Sequence, residues 1–281
     1  LAHNKPSAAI LTHRKDLARK AAQNFGCNTP EYQVIKLQQS NQCANSVTYP
    51  VVIKPLSLSA SKGVIRANNR QQFNSACTTI DIILNKSNIT GYERNHVLVE
   101  GYLDGLEFAV DGILIDGEFH LLAIFDKPEP LIGPYFEETY YLTPSRLAHT
   151  NQLALIEEVS RCCEAYGLTQ GPIHAEARIT ENGVFLIELA ARTIGGQCGQ
   201  LIEFSLQQKL EEIVIQGLCG KIPNLPKSRL CAGVLMIPVR KSGILKRVEG
   251  LTAAIQVKFV NDVEIHIQPG YELVPLPEGS S

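Results

Sequence analysis

The sequence predicts an α+β protein in which antiparallel hairpins are mixed with helices. Short apolar segments alternate irregularly with segments of helical periodicity, and Asp116-Gly117 is a hairpin signal between two of the apolar segments. The regular strand–helix alternation that predicts a doubly wound parallel sheet is not found along the sequence. A chain of 281 residues is long enough for roughly two domains.

The first elements follow from apolar spacing and from helix-ending residues. The segment 12–25 carries apolar residues on one helical face, with Thr12 as a suitable N-cap and Gly26 as the expected C-terminal stop. A buried strand is predicted over 49–55, with Lys54 near its end. It is followed by a Ser-rich loop over 56–63.

The remaining elements are predicted from the same two periodicities. Helices are expected over 71–84, 151–166 and 201–218. Strands are expected over 64–66, 96–99, 107–115, 118–125, 233–239, 243–248 and 254–260, and a hairpin over 173–190.

Charge and composition exclude several functional classes. The chain has 26 Lys+Arg against 28 Asp+Glu, so it lacks the basic excess of general nucleic-acid or membrane-surface binders. No apolar run approaches the roughly 20 residues of a transmembrane helix, and no signal segment opens the chain. The eight cysteines form no C-x-x-C pair, which is typical of reduced thiols. We predict a cytoplasmic protein without nucleic-acid or membrane partners.

The hairpin over 173–190 carries the most informative carboxylates. A three-residue loop over 181–183 pairs Thr180 with Val184, and this register places Glu176 opposite Glu188. Facing carboxylates repel each other, and a divalent cation such as Mg²⁺ between them would remove that penalty. The same register predicts a shared apolar face of Ile173, Ala175, Ala177, Ile179, Phe185, Ile187 and Leu189.

Two other interpretations of this hairpin stay open. In the first, Arg178 or Arg192 neutralises both acids in a structural salt-bridge cluster. In the second, a two-residue Asn182-Gly183 turn shifts the register by one residue, which would place the two glutamates on opposite faces.

The segment after Lys54 has the composition of a phosphate-binding loop. Small residues let backbone N–H groups approach phosphate oxygens, while serine hydroxyls and lysine add donors and positive charge. The pattern is not that of a P-loop, and a solvated turn explains the same residues. The residues concerned are Ser57, Ser59, Ala60, Ser61, Lys62 and Gly63.

A short connector follows the strand at 96–99. Its backbone, over Glu100, Gly101, Tyr102 and Leu103, offers donors and acceptors that could bind an adenine edge. Glu107 lies just beyond and could accept hydrogen bonds from ribose hydroxyls. A glutamate beside a turn is also a common surface feature, so neither interpretation stands alone.

Taken in order, these features resemble the ATP-grasp superfamily over about residues 10 to 220. The segments Phe125–Phe136 and Glu188–Arg192 look most like the L-amino acid ligase and carnosine synthase-like branch. The segment from about residue 230 resembles the small C-terminal domain of those ligases. The resemblance implies two α+β subdomains that clamp ATP, followed by a small β-rich segment.

The resemblance also implies a role for each matched residue. Lys15 and Lys54 match the lysines that hold nucleotide phosphates, although a solvated helix face would be the default interpretation of Lys15 alone. Glu176 and Glu188 match the metal-ligand pair. Nucleotide binding is further implied for Ala60, Ser61, Lys62, Glu100, Gly101, Tyr102, Leu103, Glu107 and Lys127. Positions near the substrate carboxylate and the acyl-phosphate are implied for His174, Arg192 and Gly195, with a satisfied strand histidine as the alternative for His174.

Two departures from the family pattern bear on the site. Many members have Asn two residues after the second metal glutamate, whereas this sequence has Ala190, so a third side-chain metal ligand is in doubt. The loop over 56–63 is Ser-rich where many members are Gly-rich, so its flexibility is in doubt as well.

The expected function is that of an ATP-dependent ligase that joins a carboxylate to an amine through an acyl-phosphate. The implied cofactors are ATP and Mg²⁺, with Mn²⁺ as a substitute, and the implied partners are small carboxylate and amine substrates such as amino acids. A homodimer is an expectation by family analogy. The alternatives are a biotin-carboxylase-like or purine-pathway carboxylating enzyme, and a non-catalytic nucleotide-binding module.

The resemblance also predicts a domain organisation. The expected units are an N-terminal helix and linker over 1–40, a lid subdomain over 41–100, a core subdomain over 101–222 and a C-terminal domain over 223–281. Residue 1 is Leu and the only methionine is Met236. We therefore expect a preceding α/β domain and an incomplete C-terminal domain, and a chain that holds the nucleotide site without necessarily being active alone.

Overall fold

The computed structural model describes residues 3–226 and 229–279. Its helices are α1 (Pro6–Leu11), α2 (Lys15–Phe25), α3 (Ser40–Cys43), α4 (Arg70–Asn85), α5 (Gly91–Asn95), α6 (His149–Tyr166), α7 (Cys198–Leu206), α8 (Leu210–Leu218) and α9 (Leu251–Ile255). Its strands are β1 (Tyr32–Lys36), β2 (Val51–Pro55), β3 (Ile65–Ala67), β4 (His96–Gly101), β5 (Leu106–Ile115), β6 (Glu118–Asp126), β7 (Tyr140–Thr143), β8 (Gly171–Thr180), β9 (Gly183–Ala190), β10 (Ala232–Leu235), β11 (Gly243–Ile244) and β12 (Glu272–Leu273).

The smaller of the two main sheets has four antiparallel strands in the order β1-β4-β2-β3. Strand β2 is buried along its whole length: Val51 and Ile53 pack with helix α4, whereas Val52 and Lys54 line a cleft on the other side of the sheet. Phe73 and Ile80 of α4 lie with Ile53 and Val99 in one apolar cluster. Asn69 caps α4 by accepting a hydrogen bond from the backbone N–H of Gln72, as expected for an N-cap asparagine.

The larger sheet has six strands in the order β10-β7-β6-β5-β8-β9. Its pairings are antiparallel, and helices cover both of its faces. Helices α2 and α6 pack against one face, where Phe108 and Val110 of β5 point. Helices α7 and α8 pack against the other face, where Ala109 of β5 points. This mixture of helices and antiparallel sheets confirms the predicted α+β class.

The first predicted helix is wrong at its start. The chain forms two helices over this region because α1 ends at Leu11 and α2 begins only at Lys15. The Thr12 hydroxyl donates to the Ala9 carbonyl, so it closes α1 and does not cap α2. The predicted stop is correct, because Gly26 adopts a left-handed conformation with φ of 86°.

Four further predicted elements differ from the structure. The predicted long helix over 201–218 is two helices, because Gln207 adopts a left-handed φ of 54° between α7 and α8. The predicted strand over 254–260 overlaps helix α9 and has no strand. The strands predicted over 233–239 and 243–248 are shorter, since β10 spans four residues and β11 spans two.

The segment after α8 contacts the larger sheet and also the Ser-rich loop that follows β2 of the smaller sheet. Strand β10 pairs with β7 at the edge of the larger sheet, whereas β11 and β12 form a separate two-stranded sheet. The N–H of Gly63, at the end of the Ser-rich loop, donates to the carbonyl of Pro277. The boundaries predicted for the four domains stay a prediction. In the described part of the chain, no helix is both long enough and apolar enough to cross a membrane.

Candidate active site

A deep cleft lies between the two main sheets, with the Ser-rich loop at its edge. Strands β2 and β4 line one side of the cleft, and strands β8 and β9 line the other. All but two of the predicted site residues line it. The lining set comprises Lys15, Lys54, Ala60, Ser61, Glu100, Gly101, Tyr102, Leu103, Glu107, His174, Glu176, Glu188, Arg192 and Gly195.

The two exceptions differ in their surroundings. Lys127 is 7 % exposed and lies behind the carboxylates, in contact with three of them. Lys62 is half-buried in the loop, and its N–H donates to the Ser59 carbonyl. The structure therefore gathers almost the whole predicted set around one cleft, which the order along the chain could not show directly.

The carboxylate hairpin has Glu176 directly opposite Glu188, as predicted. The three-residue loop from which we predicted that register is wrong. The turn has two residues, Glu181 and Asn182, so Thr180 pairs with Gly183. That turn alone would offset the glutamates by one residue. A β-bulge next to Glu176 restores the pairing by adding one residue to the β9 side.

The bulge also changes which side chains face the core. Val184, Leu186 and Leu189 of β9 pack into the apolar cluster, whereas Ile187 lines the cleft. Phe185 is half-buried and is not part of the described core cluster. The predicted inward positions of Phe185 and Ile187 are therefore wrong, because the residue parity of β9 shifts across the bulge.

The facing glutamates are in contact with lysines, and not with either of the two arginines proposed from the sequence. Lys127 Nζ lies 3.4 Å from Glu176, and Lys15 Nζ lies 3.3 Å from Glu188. Arg178 forms an ion pair with Glu107, 2.8 Å away, and Arg192 donates to the Thr193 carbonyl. The alternative in which one arginine clamps both acids is therefore wrong.

Lys127 is the centre of an acidic cluster that includes a residue missed in the sequence. It contacts Glu107, Glu138 and Glu176, whose carboxylate oxygens all lie within 4.8 Å of one another. Burial and the nearby charge of Glu176 raise the pKa of Glu138 to about 7, and Tyr141 donates to its carboxylate over 2.6 Å. Glu138 follows no periodic pattern, since it lies in the irregular segment between β6 and β7.

His174 is held by a second residue that the sequence reading missed. Its Nδ1 lies 3.1 Å from Asp111, which is almost fully buried on β5. Burial by itself lowers the pKa of His174, but Asp111 and Glu176 outweigh that effect and raise it to about 10. Asp111 could have been identified from the sequence, because it is a charged residue inside the otherwise apolar stretch of β5. His174 is thus both a bonded strand histidine and a residue that lines the cleft.

The connector is fixed by a buried ion network. Glu100 accepts from Arg19 over 2.5 Å and pairs with Lys54 over 2.6 Å. Burial raises the pKa of Glu100, but the charges of Arg19 and Lys54 prevail and lower it to about 2. Arg19 also donates to the Ile187 carbonyl, so it links the connector to the strand that carries Glu188. No sequence pattern distinguished Arg19 from an exposed helical arginine.

Backbone bonds set the course of the connector and of the Ser-rich loop. The N–H of Gly101 donates to Glu31, and that of Tyr102 donates to Pro50. In the loop, Ala60 and Ser61 adopt left-handed φ values of 53° and 55°. Lys15 Nζ donates to the Leu58 carbonyl over 2.7 Å, which draws the loop toward the helix that carries Lys15.

The two antiparallel sheets define an α+β fold, and the cleft between them is lined by lysines and by the facing glutamates. The family model for the ATP-grasp domain matches residues 47–200, more than half of the chain. The chain therefore belongs to the ATP-grasp domain family, which confirms the family inferred from the sequence.

Individual relatives agree with this family. The chain is 28% identical over 237 residues to dapdiamide A synthase of Enterobacter agglomerans, covering 81% of the chain and 54% of that protein. It is 27% identical over 216 residues to alanine–anticapsin ligase of Bacillus subtilis, covering 70% of the chain and 45% of that protein. The crystal structure of L-amino acid ligase from Bacillus licheniformis matches with a TM-score of 0.86 and 26% identity, covering 100% of this chain and 69% of that one.

These similarities agree with the amino acid ligase branch inferred from the sequence. The chain spans about half the length of the curated relatives that it matches.

Proposed function

We propose that the protein is an ATP-dependent carboxylate–amine ligase that forms an amide bond and releases ADP and phosphate. The observation that carries this proposal is the pairing of Glu176 with Glu188 across the hairpin, with Lys15 and Lys127 in contact with them. In the first step a carboxylate oxygen of the substrate attacks the γ-phosphorus of ATP, and ADP leaves. In the second step an amine attacks the acyl carbon, loses a proton, and displaces phosphate.

We propose a different role for each group of residues in and around the cleft. The connector from Glu100 to Leu103 would bind the adenine edge, and Glu107 would accept from the ribose hydroxyls. Lys15 and Lys54, with Ala60, Ser61 and Lys62 of the loop, would hold the phosphates. Lys127 keeps Glu107 and Glu176 in place by ion pairs, and it adds positive charge behind the reacting groups.

The facing glutamates suit a divalent cation by their chemistry. Glu188 lies opposite Glu176 across the hairpin, and the carboxylate oxygens within 4.8 Å of one another are those of Glu176, Glu138 and Glu107. Ala190 stands where many members have Asn, so it supplies no third side-chain ligand. The Glu138 carboxylate would take that role. Bound Mg²⁺ or Mn²⁺ would neutralise charge on the transferred phosphoryl group.

Arg192, His174 and Gly195 also line the cleft. Arg192 presents a planar fork of donors that suits a carboxylate or an acyl-phosphate. The Nδ1 of His174 contacts Asp111, and its Nε2 lies 3.6 Å from Glu176. Closure of the loop over 56–63 would keep water from hydrolysing the acyl-phosphate.

The substrates are proposed from the relatives. These relatives include an alanine–anticapsin ligase and an L-amino acid ligase. We propose amino acids as the carboxylate and amine partners. A cytoplasmic location and a homodimeric assembly belong to the same proposal. Both rest on family analogy, and nucleic acids and membranes are not proposed as partners.

The test is a screen of amino-acid pairs for ATP-dependent release of ADP and phosphate. Because the chain spans about half of its curated relatives, the screen uses the product of the complete reading frame. Glu188→Gln should lower turnover at least about 100-fold, since it removes one of the two facing carboxylates. Glu181→Gln, in the exposed turn of the same hairpin, is the matched control and should retain wild-type turnover.

Two outcomes of this screen would contradict the proposal. ADP release that depends on bicarbonate, without a requirement for an amino acid, would indicate a carboxylating enzyme. Thermal stabilisation by ATP without turnover for any pair would indicate a nucleotide-binding module.

A further inference from the structure

Arg178 makes more contacts than neutralisation of one carboxylate requires. It is 3 % exposed, although arginine is rarely buried this deeply without several partners. Its Nε donates to Glu107 over 2.8 Å, its Nη1 to the Leu103 carbonyl over 2.6 Å, and its Nη2 to the Leu131 carbonyl over 2.5 Å. Glu107 already has a second cation, because Lys127 Nζ lies 2.8 Å away.

The three acceptors of Arg178 belong to two different parts of the cleft. Leu103 and Glu107 form the predicted seat of the nucleotide. Leu131 lies in the segment 127–139, called the cleft loop below, which carries Lys127 and Glu138. A single side chain thus bonds the nucleotide seat and the cleft loop at the same time.

A second arginine strengthens the same connection. Two guanidinium groups contact the Tyr102 ring, with that of Arg66 3.8 Å and that of Arg178 5.2 Å from the ring centroid. Arg66 also donates from Nη1 to the Ile132 carbonyl, over 2.7 Å, in the cleft loop. Movement of Tyr102 would therefore displace both arginines that donate hydrogen bonds to the cleft loop.

We propose that Arg178 is a positioning residue that couples the nucleotide seat to the cleft loop, so that a bound nucleotide fixes the loop. The proposal rests on the nucleotide-binding part of the function proposed above, and it does not depend on which substrates are joined. The guanidinium is suited to this role because it donates in a fixed fork to several acceptors at once. A lysine is a point charge on a flexible stem and cannot reproduce that fork.

The test combines nucleotide affinity with hydrogen exchange in Arg178→Lys. This variant keeps the positive charge beside Glu107 but loses the fork to the Leu103 and Leu131 carbonyls. Its dissociation constant for a non-hydrolysable ATP analogue, measured by calorimetry, should rise about tenfold, as expected for the loss of hydrogen bonds from a charged group. Arg146→Lys is the matched control, because Arg146 pairs with Asp126 outside the cleft and is largely exposed. It should bind like the wild type.

Hydrogen exchange separates positioning from mere stabilisation of the fold. In the wild-type protein the ATP analogue should slow amide exchange in peptides from 127–139. In Arg178→Lys that nucleotide-dependent difference should be lost. A purely structural role predicts faster exchange in the free and bound states alike, with the difference retained, and that result would overturn the proposal.

The wild-type measurement keeps the proposal falsifiable even where the variant does not fold. Absence of nucleotide-dependent protection over 127–139 in the wild type would overturn it without any variant. Failure of the ligase function has a different signature. In that case no amino-acid pair supports turnover, while nucleotide binding still protects the cleft loop.

Discussion

Glu100 is the anion between two buried cations, and its replacement by glutamine is expected to destabilise the fold. In the wild type it contacts Arg19 and Lys54, whose side chains are 4 % and 8 % exposed. Glu100→Gln keeps the shape of the side chain but leaves two cations facing each other without an anion. Breaking one partner of a buried ion pair typically costs about 3–5 kcal/mol.

The pKa of Glu100 gives the same magnitude by an independent route. The pKa falls from an ordinary value of 4.5 to about 2 in the folded protein. That difference corresponds to about 3 kcal/mol in the free energy of unfolding. Because the folded pKa is depressed, the contribution is fully present above pH 4.5 and is lost as the pH falls toward 2. Glu100→Gln should lack this part of the acid sensitivity.

Urea unfolding at pH 7 and at pH 3 measures both effects. The free energy of unfolding of Glu100→Gln should lie about 3 kcal/mol below that of the wild type at pH 7, and the gap should narrow at pH 3. The matched control is Glu93→Gln, since Glu93 pairs with Arg14 over 3.0 Å but is 31% exposed. It should change stability by less than about 1 kcal/mol. A Glu100→Gln variant as stable as the control would refute this reasoning.

Two further predictions concern packing and thiol exposure. Gly105→Ala should destabilise the protein by about 1–3 kcal/mol in urea unfolding, because a Cβ there would lie 2.2 Å from the Ile179 carbonyl oxygen. Gly243→Ala is its control, since nothing lies within 4 Å of that position, and a cost as large for Gly243→Ala would contradict the packing argument. In native protein a thiol reagent should titrate two of the eight cysteines rapidly and the rest only after denaturation; a third fast thiol would contradict the burial pattern. The two exposed thiols are Cys219 and Cys231.

The facing glutamates show how much of the site the sequence could predict. Their presence on one hairpin followed from strand periodicity, and their pairing is correct. The loop length and the bulge were both missed, and the two errors cancelled. A β-bulge depends on local strand twist and tertiary packing, so an alternating pattern cannot locate it. The pairing register of a long hairpin is therefore harder to predict from the sequence than the positions of its strands.

The residues missed in the sequence share a physical reason. Arg19 meets Glu100 across 81 positions, and Asp111 meets His174 across 63. Such contacts arise from how sheets and helices pack, which local periodicity does not encode. The break at Gln207 has a similar cause. The Leu210 N–H that begins α8 donates to Glu203 of α7, a contact that exists only once the chain has turned.

Transfer of oxygen from an amino acid to phosphate tests the ligase proposal most directly. An amino acid labelled with ¹⁸O in its carboxylate is incubated with ATP, the amine partner and the product of the complete reading frame. The released phosphate is then analysed by mass spectrometry. An acyl-phosphate intermediate predicts that one labelled oxygen per turnover appears in the phosphate, since the carboxylate oxygen that attacks the γ-phosphorus leaves with it. Release of unlabelled phosphate during amide formation would contradict the account.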